Sequence, residues 1–200
     1  MLRHLRASAV ILVLMTVLTG LAYPLAMTGV ARLVFPGQAS GSLLVRDGKT
    51  VGSSLIGQTF AGERYFHGRP SATTDTDPAD STKTVPAPYN AASSAGSNLA
   101  PTSKALVDRV KDDAAKLGAT KEKPVPVDLV TTSASGLDPH VSPASALLQV
   151  PRVAKARGLP EAQVHQVVVT HTEGRLLGLI GEPRVNVLRL NMALDALGAR

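Results

Sequence analysis

The chain of 200 residues contains no cysteine and no tryptophan, and aromatic residues make up only 3% of it. Without cysteine there is no disulfide scaffold, no thiolate zinc site, no iron–sulfur cluster and no cysteine nucleophile, although the redox compartment stays open. Charge is also sparse. Twenty-one Lys and Arg against 15 Asp and Glu leave a net charge of +6, but charged residues amount to only 18%. A dedicated nucleic-acid binder would show clustered Lys/Arg and, for single strands, stacking aromatics, so this composition argues against one. The length suits one domain, with room for an appendage. A positive mean hydropathy of +0.12 with so few aromatics is unusual for a soluble domain. It directs attention to where the apolar residues lie.

They lie first at the N-terminus. Between Arg6 and Arg32 no Asp, Glu, Lys, Arg or His occurs, and residues 7–31 are mostly Val, Leu, Ile, Met and Ala. As a helix this run would extend roughly 37 Å, enough to cross a hydrocarbon core of about 30 Å. Pro24 should kink or end regular helix, while Gly20 and Gly29 offer flat surface to a neighbouring helix. Arg3, His4 and Arg6 before the run would hold a short cytoplasmic N-terminus at 1–6 and leave the remainder outside. A cleaved signal peptide is the rival reading, since it shares the basic start and could use Gly29 and Ala31 before the cut. The charge-free run is longer than export requires, which favours a permanent anchor.

After a linker at 32–41, residues 42–200 should form one extracytoplasmic domain of α+β class. Asp47-Gly48 between short apolar runs predicts a hairpin with a type I′ turn, which Leu55-Ile56 would extend. Residues 68–101 are rich in Ser, Thr, Ala, Pro, Asp and Asn and read as a long loop. Leu106, Val110, Ala114 and Leu117 share a helical stripe ended by Gly118, and residues 125–130 read as an edge strand. Ser142-Pro143 should start a helix that Pro151 breaks or restarts before Gly158, and another should start at Pro160-Glu161. Val185 to Leu188 reads as a strand feeding a terminal helix.

The chemical motifs are weak. Gly48-Lys49-Thr50 resembles the end of a phosphate loop, but Leu43 stands where the first glycine belongs. Asp75, Asp77 and Asp80 begin like a calcium loop, yet Asp80 replaces its glycine and Pro86 its closing glutamate, so solvated turns are the better reading. His165 and His171 fall about 120° apart around a helix and make a poor ligand pair, and His67 and His140 read as polar or cap histidines. There is no Gly-x-Ser-x-Gly elbow and no spacing that specifies a Ser/His/Asp triad. No metal is expected on this chain, and no residue reads as catalytic.

What stands out is a series of Gly- and Pro-punctuated polar stretches. They include Tyr65-Phe66-His67-Gly68-Arg69-Pro70, Gly96-Ser97-Asn98, Ser135-Gly136 with Asp138, Gln149 with Arg152, and Asn186 before Leu190-Asn191. Each alone is ordinary turn and cap chemistry. In this order, behind an anchor ending near Tyr23-Pro24-Leu25, they resemble the KdpC family of the bacterial potassium-transporting P-type ATPase, the Kdp complex.

The resemblance implies a non-catalytic accessory subunit of an ATP-driven, high-affinity potassium uptake complex in the bacterial plasma membrane. Its partners would be a channel-like potassium-binding subunit and a P-type subunit that hydrolyses ATP. It further implies a role in assembly and as a chaperone raising the pump subunit's apparent ATP affinity, with Gln149 associated with the nucleotide and the other motif residues as interface candidates. The flanking charges oppose that last point: they place Gln149 outside the cell, away from cytoplasmic ATP. The expectation is therefore a domain packed on the outer face of the channel-like subunit, with an indirect effect on ATP. The alternative is a membrane-tethered or secreted module that binds a small ligand through the 65–98 region.

Overall fold

The computed structural model describes residues 2–197 and divides into two compact units, Met1–Val51 and Gly52–Arg200. The first unit is dominated by one helical rod from Leu2 to Val34, which holds an 18-residue stretch of mean hydropathy 2.2 with no part of it buried. It consists of α1 (Leu2–Val17), a π-helical turn (Leu18–Ala22) and α2 (Tyr23–Val34). The π turn is the consequence of Pro24. A proline has no N–H for the carbonyl four residues back, and its ring crowds that carbonyl, so the preceding turn widens. Tyr23 accordingly donates to the carbonyl of Leu18, five residues earlier. The expected disturbance appears as a bulge, and the rod continues to Val34.

The linker contains one short helical turn, α3 (Pro36–Ala39). The hairpin β1 (Leu43–Arg46) and β2 (Lys49–Ser53) follows, with φ of 50° at Asp47 and 73° at Gly48, as a type I′ turn requires. Leu55-Ile56 does not extend it and forms a turn instead.

In the second unit the predicted long loop holds a second hairpin, β3 (Thr74–Asp77) paired antiparallel with β4 (Asp80–Pro86). Its residues are so polar that composition hid the strands. Asp75, Asp77 and Asp80 accept backbone N–H groups of Thr76, Ala79 and Thr82, which is turn chemistry. Next comes α4 (Lys104–Lys116), closed by Gly118 at φ 70°. The edge strand expected at 125–130 is absent. A 3₁₀ turn (Val127–Leu129) replaces it, because the Asp128 carboxylate is drawn to Ser142 and Ser145.

The core is built by three helices against a small antiparallel sheet. The sheet has the order β5 (His140–Val141), β7 (Arg184–Asn186), β6 (Thr172–Glu173). The helices are α5 (Pro143–Arg157), α6 (Glu161–Thr170) and α7 (Val187–Leu197). Ser142 caps α5 by accepting from the N–H of Ser145, and Gly158 ends it at φ 65°. Pro151 does not break it. Pro151 lies on the exposed side of α5, where water can reach the Leu147 carbonyl that loses its donor, while Val150, Val153 and Ala154 are buried and hold the helix on both sides. Phe66, Val164, Val168, Val185, Leu190 and Leu194 complete the interior. Their burial gives this part of the chain its hydrophobic stabilisation.

Candidate functional site

Several of the polar stretches singled out in the sequence meet at the margin of this core. Residues 66–68 belong to no helix or strand, and side chains supply partners to their backbone. Asn191 of α7 brackets Phe66: its Oδ1 accepts the Phe66 N–H at 2.8 Å and its Nδ2 donates to the Phe66 carbonyl at 2.9 Å. Gln149 of α5 does the same one residue on, its Oε1 accepting the His67 N–H at 2.8 Å and its Nε2 donating to the His67 carbonyl at 3.1 Å.

The remaining capacity of Gln149 is also taken. Oε1 accepts a second bond from Arg152 at 2.7 Å, and Nε2 donates to the Ser145 carbonyl at 3.2 Å. The residue is only 6% exposed. Any ligand taking this amide as a partner would have to displace an internal bond and leave a peptide group or the Arg152 guanidinium short of a partner, at a cost of about 1–3 kcal/mol. Arg152 fans out to the carbonyls of Glu63 at 2.6 Å and Tyr65 at 3.0 Å. Five residues further along α5, Arg157 donates to the Arg64 carbonyl at 2.6 Å and pairs with Asp195 at 2.9 Å. Its guanidinium lies 5.1 Å from the Tyr65 ring centroid, a cation–π contact.

A second cluster joins Gly68, Arg69 and Pro70 to the Ser135–Asp138 run. Arg69 pairs with Asp138 at 3.1 Å and donates to the Thr132 carbonyl at 3.2 Å. Asp138 also accepts the His140 N–H, with the His140 ring 3.4 Å away. Burial pushes the Asp138 carboxyl up, but the bonds from His140 and the Arg69 charge together bring it below its ordinary value. Tyr89 donates to the Arg69 carbonyl at 2.7 Å, and burial followed by the Asp138 charge pushes its hydroxyl up to about 12, so it stays a donor. The glycines here are close-approach positions. A Cβ on Gly68 would strike the Tyr89 hydroxyl, one on Gly96 would sit 2.8 Å from the Ala134 carbonyl oxygen, and Gly136, at φ 66°, would sit 2.6 Å from that of Ala95.

The other motif residues lie apart from the clamp. Ser97 is half-buried and Asn98 exposed at φ 51°, while the Ser135 carbonyl accepts from Ala95. Asn186 donates to the Ser54 carbonyl at 2.8 Å and caps α7 by accepting from Arg189. Gly20 and Gly29 lie on the bare helix, with nothing within 4 Å of a Cβ on Gly29. Sequence reasoning missed Asp128, Arg157 and Tyr89, which have no local pattern; their partners lie far along the chain.

Beside Gln149 is a cleft of about 300 Å³ lined by His67, Arg69, Lys116, Leu129 and Arg152. Its cations are already balanced: Arg69 by Asp138, Lys116 by Asp113, and Arg152 by the Glu63 side chain and nearby carbonyls. Burial, then the Arg152 charge, lowers the His67 pKa, which favours the neutral ring. Among the described residues no group of three or more His, Cys, Asp or Glu is placed to hold a metal ion. The arrangement pins one irregular segment to two helices and offers no nucleophile–base pair.

Residues 5–196 match the family described as KdpC, K+-transporting ATPase, c chain. The chain belongs to this family. It is similar to the potassium-transporting ATPase KdpC subunit of Rhodopseudomonas palustris strain BisB18, 66% identical over 197 residues that cover 98% of this chain and 99% of the relative. The KdpC subunits of Methylobacterium nodulans and Bradyrhizobium diazoefficiens are 65% and 64% identical, each over the full length of both chains. Of the motifs that carried the resemblance, Tyr65 to Pro70, Asp138, Gln149, Arg152 and Asn191 tie together the second unit of this chain.

Proposed function

We propose that the protein is the accessory, non-catalytic subunit of an ATP-driven potassium uptake complex, and that ATP hydrolysis is carried by another chain. The bare helix Leu2–Val34 carries this reading. A 33-residue helix holding an 18-residue stretch of mean hydropathy 2.2, none of it buried, needs lipid or partner helices as its surroundings. Membership of a family of potassium-transporting ATPase subunits supplies the partners, a channel-like subunit and a P-type subunit.

The anchor crosses once with Arg3 and Arg6 in the cytoplasm, leaving residues 42–200 outside the cell. On this reading the domain braces the channel-like subunit from its outer face. Any rise in the pump subunit's apparent ATP affinity then comes through assembly. The buried, fully bonded amide of Gln149 supports this, because its four hydrogen bonds serve the fold. Affinity purification of the full chain from native membranes tests the proposal. Two larger membrane subunits should co-purify, and isolation of the chain alone would overturn it.

A further inference from the structure

The connection between β6 and β7 has no part in the clamp and an unusual surface. Leu176, Leu177, Leu179 and Ile180 are all exposed, Leu177 by 84% and Leu179 by 82%. The tip is nevertheless held firmly. Leu176 and Ile180 exchange both backbone bonds, at 2.9 and 3.0 Å, and the turn between them passes through φ 54° at Leu177 and 74° at Gly178. A leucine in the left-handed region is strained, and such strain persists where the surroundings over-determine it. Here a costly conformation presents an apolar side chain to the outside.

We infer that this tip is a preformed knob that seats in an apolar socket on the channel-like subunit of the same potassium-transporting complex. The inference rests on the membership of that complex proposed above. Four aliphatic side chains fall short of the ~800 Å² per partner that a free-standing interface buries, so the tip does not make a dimer of this chain by itself. It suits a partner already held nearby by a membrane helix, where tethering raises the effective concentration. The charges at its base are spent: Arg175 forms two bonds to Glu182, at 2.7 and 2.9 Å, and Arg184 pairs with Glu173 at 3.1 Å. A finger made for an anionic lipid surface would carry free Lys/Arg and interfacial aromatics, and this one has a neutralised rim and only aliphatic residues. A neutralised rim around an apolar point complements an uncharged protein socket.

The native chain has no cysteine, so Leu179→Cys places a single thiol on it at the tip. Maleimide labelling of that thiol is compared between the detergent-purified complex and the full chain expressed alone. Labelling about tenfold slower in the complex supports the socket. Equal rates overturn it, as does protection in the chain alone, which would indicate a second copy. Protection found in membranes but lost in the intact detergent-purified complex would indicate lipid and also overturns it. The double variant Leu177→Asn with Leu179→Asn removes the apolar surface, while asparagine tolerates the left-handed backbone at 177. Co-purification of the larger subunits should then fall about tenfold, and undiminished recovery counts against the socket. If the unaltered chain brings down no larger subunit, the proposed function fails and takes the socket with it; if it does while the thiol of the Leu179→Cys variant labels freely, only the socket fails.

Discussion

The side-chain amide of Asn191 closes on the peptide of Phe66 from both sides, accepting its N–H at 2.8 Å and donating to its carbonyl at 2.9 Å across 125 residues of chain. Asn191 is 1% exposed and Phe66 fully buried, so the pair replaces two rungs of a β-ladder in the interior.

Replacing Asn191 with leucine keeps the number of side-chain heavy atoms and removes both bonds. Two buried peptide groups lose their partners, at about 1–3 kcal/mol each. The Asn191→Leu chain, purified in detergent, should melt about 5–15 °C lower in a thermal scan. An unchanged melting temperature would show that the bracket is not needed.

Gly136→Ala should be costly for a different reason. It puts a Cβ at a left-handed position, 2.6 Å from the backbone oxygen of Ala95 and equally close to Thr73. The backbone cannot give way as a side chain would, so a loss of about 3 kcal/mol is expected. Gly118→Ala, with open space around its Cβ and φ of 70°, should cost only about 1 kcal/mol. Chemical denaturation of the two variants side by side checks the ranking.

His67 sets a pH dependence. Its folded pKa lies below the ordinary 6.5 because burial, and then the Arg152 charge, disfavour the imidazolium. The unfolded chain therefore takes up a proton first as the pH falls through 6.5, and stability declines from there towards the lowered folded value. Melting temperatures between about pH 8 and 5 should fall with acidity. His67→Gln should flatten that slope, and a slope unchanged in the variant would assign it to other groups.

Arg157 and Asp195 form an ion pair 2.9 Å long, with side chains only 3% and 19% exposed. Breaking a buried pair from one side leaves an uncompensated charge, and Arg157 also holds the Arg64 carbonyl and the Tyr65 ring. Arg157→Met should cost about 3–5 kcal/mol in denaturant unfolding. Lys104→Met, which removes an exposed pair with Asp108, should cost less than about 1 kcal/mol.

Orientation is open to a direct test. Ser81 and Lys121 are both exposed, so a cysteine at either reports which side of the membrane holds the domain. A membrane-impermeant maleimide should label Ser81→Cys or Lys121→Cys in cells with an intact plasma membrane. Labelling only after that membrane is opened would place the domain in the cytoplasm and refute the outward orientation.

Much of the second unit was legible where a local rule applies. Ser142-Pro143 starts α5 and Gly158 ends it, as Asp47-Gly48 turns the first hairpin, because caps and turns depend on neighbouring residues alone. Legibility failed where distant partners decide. Residues 125–130 have an apolar alternation that suggests a strand, but Asp128 is recruited across 14 residues to the N–H of Ser142 and bends the segment into a 3₁₀ turn. Pro151 carries a local stop signal that burial of Val150, Val153 and Ala154 overrides. The hairpin of Thr74 to Pro86 is nearly all polar, so hydrophobic periodicity could not reveal it.

By itself the sequence determined the membrane-length helix, since an apolar run is a one-dimensional property and lipid-crossing length follows from it. It also determined the family, through motifs whose order survives translation into a linear pattern. Only the tertiary structure decided what those motifs do. Gln149 and Asn191 bind the backbones of His67 and Phe66 from 82 and 125 residues away. A side-chain amide reaching a distant peptide leaves no periodicity and no spacing in the chain; the relationship exists only once α5 and α7 have packed on the core and brought the two amides to the same segment.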